Sequence, residues 1–376
     1  MTPKVARFLA SENPATPCLV LDVDRVEENF RALSKALPLA RIYYAVKANP
    51  AAPILERLVK LESSFDAASF EEVEMCLAAG AHPAVISYGN TIKKISAIQR
   101  AHAAGVSMFA FDSEEELEKL ATHAPGARVY CRLIVENVGA DWPLSKKFGT
   151  SIETARDLMI QAGQMGLDPY GLSFHVGSQQ TSTESYEAAI GKVGMLFTDL
   201  EEAGVNLRMV NLGGGFPTRY RDDVPGIDQF AGAIMNAMTR HFGNALPEMI
   251  VEPGRFIVAD AGVVQSEVVL VSRRAKESKV RWVYLDIGRF GGLAETEGEA
   301  IKYRIQTPHD GTPEGPVSIA GPSCDGVDIM YEKSNYRLPM ALTHGDKVEL
   351  LSSGAYVTTY CSTRFNGFAP LAEHYI

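Results

Sequence analysis
Cysteine is scarce in this sequence: five residues among 376, at positions 18, 76, 131, 324 and 361, with no CxxC pair. An odd, scattered set argues against a disulfide framework and against a zinc site, so no metal is expected. A reducing cytoplasm is the simplest setting. Basic runs are missing too. Lys and Arg number 36 against 46 Asp and Glu, a net charge of -10. Such a surface repels nucleic acid, and no nucleic-acid partner is expected. No stretch approaches the roughly 20 apolar residues of a membrane span. The opening MTPKVARFLASENPATP lacks an apolar run of signal-peptide length. There is no sequence repeat, and no early GxGxxG, which disfavours a dinucleotide-binding sheet.

What is present is a rhythm. Hydrophobic residues make up 46% and charged residues 22%, ordinary values for a globular chain, and the length calls for two domains. Short apolar runs recur at Ile42–Val46, Ser64–Ala67, Val85–Tyr88, Ser107–Phe111, Arg128–Leu133, Gly171–His175, Met209–Leu212 and Met249–Glu252. Helical spacing fills the gaps. SFEEVEMCLAAGA and DSEEELEKLATHA each open with a serine N-cap and an acidic first turn. Strands alternating with helices in this way predict an α/β fold, a (β/α)8 TIM barrel over residues 24–260. An open doubly wound sheet is the alternative. Beyond residue 260 the period falls to two, as in AGVVQSEVVLVS and DKVELLSSGAYVTTYC. This predicts a C-terminal β-sandwich or β-barrel domain over 261–376, taken together with residues 1–23. The strand in PCLVLD, residues 17–22, is compatible with either domain.

Barrel chemistry sits at the C-terminal ends of the strands. Read in order, those ends offer Lys47, Asp66, Asn90 or its neighbours, Asp112, Arg132, His175, Gly213-Gly214-Gly215 and Glu252. Each has an ordinary reading as well: a solvated lysine, a core histidine, a tight glycine turn, a surface ion pair. Convergence on one ring favours function. A lysine at the edge of an apolar site can lose its proton and attack an aldehyde. Three glycines let N–H groups converge on an anion. Glu252-Pro253-Gly254-Arg255 places a carboxylate, a glycine N–H and a guanidinium together, the first suited to a ring nitrogen and the others to phosphate.

The segments YYAVKANP, FDAASFEEVE, FHVGSQ, NLGGGFP, EPGRF, GPSCDGVD and GAYVTTYCSTRFNGF occur in this order. Together they resemble the fold-type III pyridoxal-phosphate decarboxylases. These have an alanine-racemase-like barrel and include ornithine, lysine, diaminopimelate and arginine decarboxylases. The likeness runs from about residue 16 to residue 370 and implies roles at matching positions. Lys47 would hold the cofactor covalently, Glu252 would pair with the pyridine nitrogen, and His175 would stack on the ring. Ser178, Gly213, Gly214, Gly215, Gly254, Arg255 and Tyr356 would bind its phosphate. Asp66 and Arg132 would shape the ring's surroundings. Cys324 and Asp325 would enter the site from the partner subunit of a homodimer, with Cys324 as proton donor. Phe365 would line the substrate pocket.

Asp325 and Gly326 after the cysteine resemble the ornithine branch, whereas diaminopimelate enzymes usually carry a glutamate there. The resemblance implies ornithine decarboxylation to putrescine, in polyamine biosynthesis, with lysine to cadaverine as the alternative. Arginine, diaminopimelate and a non-catalytic homologue rank lower, and Glu252 and Cys324 argue against a racemase. The sequence departs from the eukaryotic ornithine enzymes at one point. Where they carry a second substrate aspartate, simple alignment places Gly298. Glu297 or Glu299 is expected to serve instead, or else to lie on an exposed acidic segment.

Overall fold
The computed structural model describes residues 1–136, 138–142, 147–362 and 364–376, and of residue 142 the backbone only. Helix α1 (Pro3–Glu12) starts where the Thr2 hydroxyl accepts the Val5 N–H and Pro3 takes the first turn. Strand β1 (Cys18–Leu21) is buried throughout, and α2 (Val23–Ala36) follows.

From there strand and helix alternate. The order is β2 (Ala40–Ala45), α3 (Ala52–Lys60), β3 (Ser64–Ala67), α4 (Phe70–Ala78), β4 (Ile86–Tyr88), α5 (Ile95–Ala103), β5 (Met108–Phe111), α6 (Glu114–His123) and β6 (Arg128–Arg132). Then come β7 (Ala140–Trp142), α7 (Ile152–Gln164), β8 (Asp168–Ser173), β9 (Ser178–Gln180), α8 (Glu184–Glu202), β10 (Met209–Asn211), α9 (Ile227–Phe242), β11 (Glu248–Val251) and the short α10 (Arg255–Val258). Strands β2, β3, β4, β5, β6, β8, β10 and β11 close into one barrel. Every neighbouring pair is parallel, and β11 returns to β2. Each βα junction supplies a backbone-capping serine where the sequence offers one. Ser69, Ser113 and Ser151 accept the N–H of Glu72, Glu116 and Thr154. Tyr43, Met108, Tyr130, Tyr170, Met209 and Ile250 come from six barrel strands and meet in one cluster, so the barrel has a packed core and not a pore. Strands β7 and β9 pair separately.

The remaining strands are β12 (Gly262–Ser272), β13 (Arg281–Leu285), β14 (Ile305–Gln306), β15 (Glu314–Ala320), β16 (Ile329–Tyr331), β17 (Arg337–Pro339), β18 (Lys347–Leu351) and β19 (Ala372–Tyr375). With β1 they form one connected nine-stranded sheet. Its main path is β14-β18-β12-β13-β15-β16. Strand β1 lies between β12, antiparallel, and β19, parallel, so PCLVLD belongs to this sheet. Leu19, Val264, Leu285, Ile319, Tyr331 and Leu350 are among its core residues.

The chain divides into two compact units. The β unit comprises Met1–Val26, Thr218–Asp223 and Ile257–Ile376, and the barrel unit comprises Glu27–Pro217 and Val224–Phe256. The Thr218–Asp223 excursion is held to the β unit by Arg221 N–H donating to the Lys302 carbonyl at 2.9 Å and by Tyr220 edge-on to Tyr303.

Candidate active site
Strand β2 runs into a single 3-10 turn, Val46–Ala48, that carries Lys47. Ala45 N–H donates to the Pro253 carbonyl at 3.0 Å, and Tyr44 O–H donates to the Asn49 carbonyl at 2.9 Å. The lysine therefore leaves the barrel mouth from a fixed backbone. Its Nζ lies 3.4 Å from Asp66 Oδ2 near the end of β3. Asp66 is buried, and its Oδ1 has no hydrogen-bond partner. Gly89 allows this: a Cβ there would stand 1.9 Å from Asp66 Oδ1.

Glu252 follows β11 and accepts the Asn211 side-chain amide. Burial, and then the negative charge of Asp66, push its carboxyl up to about 7, while Lys47, Asn211 and Arg132 pull the other way. His175 follows β8. Its Nδ1 accepts the Gly177 N–H at 3.0 Å. Burial, then the charges of Arg132 and Lys47, hold it well below the usual histidine range. It is therefore a neutral flat ring with its proton on Nε2, the tautomer that this bond dictates. Burial lowers Arg132 as well, and its guanidinium lies over the Phe148 ring.

The glycine turn is built from backbone. Gly213, Gly214 and Gly215 carbonyls accept from Glu252 N–H at 2.8 Å, Tyr186 O–H at 2.7 Å and Gln180 N–H at 2.8 Å. In a trans peptide the next N–H points opposite to the carbonyl. The N–H groups of Gly214, Gly215 and Phe216 are thus turned away from these partners, as an anion-binding nest requires. No side chain fits the turn. A Cβ on Gly214 would lie 2.4 Å from the Glu252 carbonyl, and one on Gly213, at φ 68°, would lie 2.3 Å from the Phe174 carbonyl. Arg255, buried and just after Gly254, reaches Ser178 Oγ at 3.1 Å.

The other candidates belong to the β unit. Cys324 and Asp325 are exposed in the loop between β15 and β16. Cys324 N–H donates to Asn366 Oδ1 at 2.9 Å, and Asp325 Oδ1 accepts Val327 N–H at 2.9 Å. The Phe365 ring packs on Phe290 at 4.6 Å. Tyr356 holds a left-handed backbone, φ 65°, a conformation that an aromatic residue keeps only when its surroundings impose it. Glu299 accepts the N–H groups of Glu332 and Lys333 at 2.7 Å each, and also the Ser334 hydroxyl. Burial alone would raise its carboxyl, but these donors hold it below the usual range. Glu297 is exposed and lies 3.4 Å from Arg289.

Three further residues inside the motif segments hold the site together, and their residue types alone did not assign them that role. Asn211 ties the Gly213 N–H to the Glu252 carboxylate. Asn366 holds the Cys324 backbone. Asp328 binds two loops. Their signal was a side-chain amide or carboxylate among glycines. Thr363, within GAYVTTYCSTRFNGF, lies outside the described residues.

A flat cationic heteroaromatic carrying an aldehyde and a phosphate fits this set. An amine and a buried carboxylate with a spare oxygen stand at one point, a carboxyl raised by desolvation at another, and a backbone nest with arginine and serine at a third. The chain belongs to the pyridoxal-dependent decarboxylases: residues 23–259 match the pyridoxal-binding domain of that family. It is a pyridoxal-phosphate-dependent decarboxylase, and pyridoxal phosphate is its cofactor. The chain is 36% identical over 370 residues to the lysine/ornithine decarboxylase of Selenomonas ruminantium, covering 98% of this chain and 91% of that protein. Among solved structures, it matches the lysine/ornithine decarboxylase from Vibrio vulnificus complexed with cadaverine, with TM-score 0.89, 32% identity and coverage of 100% and 99%. It also matches the arginine decarboxylase of Paramecium bursaria Chlorella virus bound to agmatine, with TM-score 0.91, 27% identity and full coverage of both chains. Among the described residues no helix is long and apolar enough to cross a membrane.

Proposed function
We propose that this protein decarboxylates L-ornithine to putrescine, with L-lysine to cadaverine as its second reaction, in the making of polyamines. The observation that carries the reading is the exposed Cys324–Asp325 pair, a proton donor beside a carboxylate suited to a distal ammonium. Glu297 supports it as a second acid. Glu299 is occupied by backbone donors, which favours Glu297 over it. The Vibrio vulnificus relative was solved with cadaverine, a product of the same class.

The cofactor supplies an electron-withdrawing ring that takes up the electron pair left at Cα when carbon dioxide departs. Lys47 Nζ would hold its aldehyde covalently. Glu252 would keep the proton on the ring nitrogen. Neutral His175 offers a face for stacking and adds no charge that would oppose that proton. Arg132 and Asp66 set the field around the ring. Gly213, Gly214 and Gly215, with Ser178, Gly254 and Arg255, would hold the phosphate, and Tyr356 would add a contact to it. Cys324 Sγ returns a proton to Cα, Asp325 takes the distal ammonium, and Phe365 covers the methylene chain. Cys324, Asp325 and Phe365 serve the barrel of a partner subunit, so the working form is a homodimer with shared sites.

The test is carbon dioxide release from equal amounts of ornithine, lysine, arginine and diaminopimelate by the cofactor-loaded protein. Release from ornithine ahead of lysine is the expected result. Release confined to arginine or diaminopimelate would overturn the substrate assignment while leaving the family chemistry intact.

A further inference from the structure
Asp328 is 3% exposed and its carboxylate gathers two loops of the β unit. Oδ1 accepts the Arg289 N–H at 2.8 Å. Oδ2 accepts the Ser323 N–H at 3.1 Å and the Ser323 hydroxyl at 2.7 Å. Both loops are shaped around it. A Cβ on Gly288 would lie 2.2 Å from Oδ1, and one on Gly321 would lie 2.4 Å from Oδ2. The backbone adds Gly321 N–H to the Asp328 carbonyl at 2.8 Å and Asp328 N–H to the Asp325 carbonyl at 3.1 Å.

The residues tied in this way are neighbours of the groups assigned to substrate. Ser323 precedes Cys324 and Asp325. Arg289 precedes Phe290, whose ring packs on Phe365. The Arg289 guanidinium donates to the Val327 carbonyl at 2.8 Å and pairs with Glu297 at 3.4 Å. One carboxylate therefore sets the spacing between the Cys324–Asp325 loop and the segment bearing Phe290 and Glu297. All three of its partners are donors. A carboxylate satisfies them, whereas an amide would turn its own N–H groups against at least one.

We propose that Asp328 is a positioning residue for substrate length. It fixes the spacing between the loop carrying Asp325 and the segment carrying Phe290 and Glu297, and so discriminates between diamine precursors that differ by one methylene. The inference rests on the assignment of Cys324 and Asp325 given above. Discrimination of one methylene in a pocket is worth about 10- to 200-fold.

The experiment uses the cofactor-loaded enzyme and its Asp328→Asn, Ser323→Ala and Asp325→Ala variants. Steady-state kinetics on ornithine and lysine are measured, together with the visible absorption of the bound cofactor and thermal melting. In Asp328→Asn the ratio of kcat/KM for the two substrates is expected to move toward one by about tenfold. KM should rise for both, and cofactor absorption should be unchanged. Ser323→Ala should shift the ratio in the same direction by less. An unchanged ratio, with both activities falling in parallel with the melting temperature, would show a structural role only and overturn the proposal. If Asp328→Asn does not fold, Ser323→Ala decides by the same two outcomes. An Asp325→Ala variant with unaltered KM for both substrates defeats the underlying assignment, and with it this inference. A strong Asp325→Ala effect beside an unmoved ratio in Asp328→Asn defeats this inference alone.

Discussion
Lys47 Nζ and Asp66 Oδ2 stand 3.4 Å apart, yet the lysine side chain is 45% exposed and that of the aspartate 4%. The cation faces the open mouth while the anion is walled in by Gly89. The same aspartate is the chief charge raising Glu252, so one buried carboxylate acts on both Lys47 and Glu252. Asp66→Asn should weaken the hold on Lys47 and lower the Glu252 carboxyl. Turnover should fall by roughly 10- to 100-fold, the scale of a lost charge-assisted hydrogen bond. Lys47→Ala should abolish turnover and the visible absorption of bound cofactor. Spectra and carbon dioxide release measured together check both.

Glu252 has a folded-state carboxyl raised to about 7, burial being the larger cause. A raised acid binds more protons folded than unfolded, so the cofactor-free protein loses stability as pH rises from about 4.5 to 7. Glu252→Gln removes that penalty. In cofactor-free protein, melting should show this variant gaining more over wild type at pH 8 than at pH 5. In loaded enzyme the cationic ring reverses the balance, and the same change should cut turnover by about a hundredfold or more.

Arg255 and the glycine nest are expected to bind phosphate, so Arg255→Ala should separate two ligands. Affinity for pyridoxal phosphate should drop by roughly 10- to 150-fold, equivalent to about 1.5–3 kcal/mol for a charged hydrogen bond. Affinity for pyridoxal, which lacks the phosphate, should stay nearly constant. Titration of the cofactor-free protein with each checks this.

Lys93 is buried in the barrel unit, 2.9 Å from Glu116 Oε1, and donates to the Asn90 and Ala110 carbonyls. Burial, opposed by Glu116, brings the lysine down to about 8. Glu116→Leu strands this cation and should destabilise the protein by about 3–5 kcal/mol, while Lys93→Met with Glu116→Leu should recover much of the loss. A depressed lysine leaves the unfolded chain with more protons, so stability rises with pH up to the ordinary lysine value. The single-variant deficit should therefore be smaller at pH 9 than at pH 7 by chemical denaturation.

Shared sites can be tested by mixing. A Lys47→Ala chain and a Cys324→Ala chain, each inactive alone, should regain up to about a quarter of wild-type activity together, the share expected from random pairing of subunits. No recovery would count against a dimer that completes its sites from both chains.

The barrel was legible because its signals are local. A strand needs a run of apolar residues and a helix needs a cap, and Ser69, Ser113 and Ser151 cap where a serine precedes an acidic or polar first turn. The glycine turn was legible for the same reason: its backbone has no room for a Cβ. Two other features were not. Thr218–Asp223 carries no period that separates it from the barrel around it, and its place in the β unit comes from Lys302 and Tyr303. Glu297 and Glu299 look alike in the chain, two acids flanking a glycine.

By itself the sequence determined the alternation of strands with helices and which chemical groups stand at the strand ends, since these follow from periods and from residue identity; that the eight parallel strands close on themselves, and do not form an open sheet, was decided by the pairing of β11 with β2. Only the tertiary structure decided which acids are spoken for. Glu299 is spent on the backbone of residues 332–334, Asp328 on two loops, and Asp66 keeps one oxygen without a partner. Hydrogen-bond satisfaction of a buried carboxylate depends on donors brought from distant segments, and packing alone specifies those.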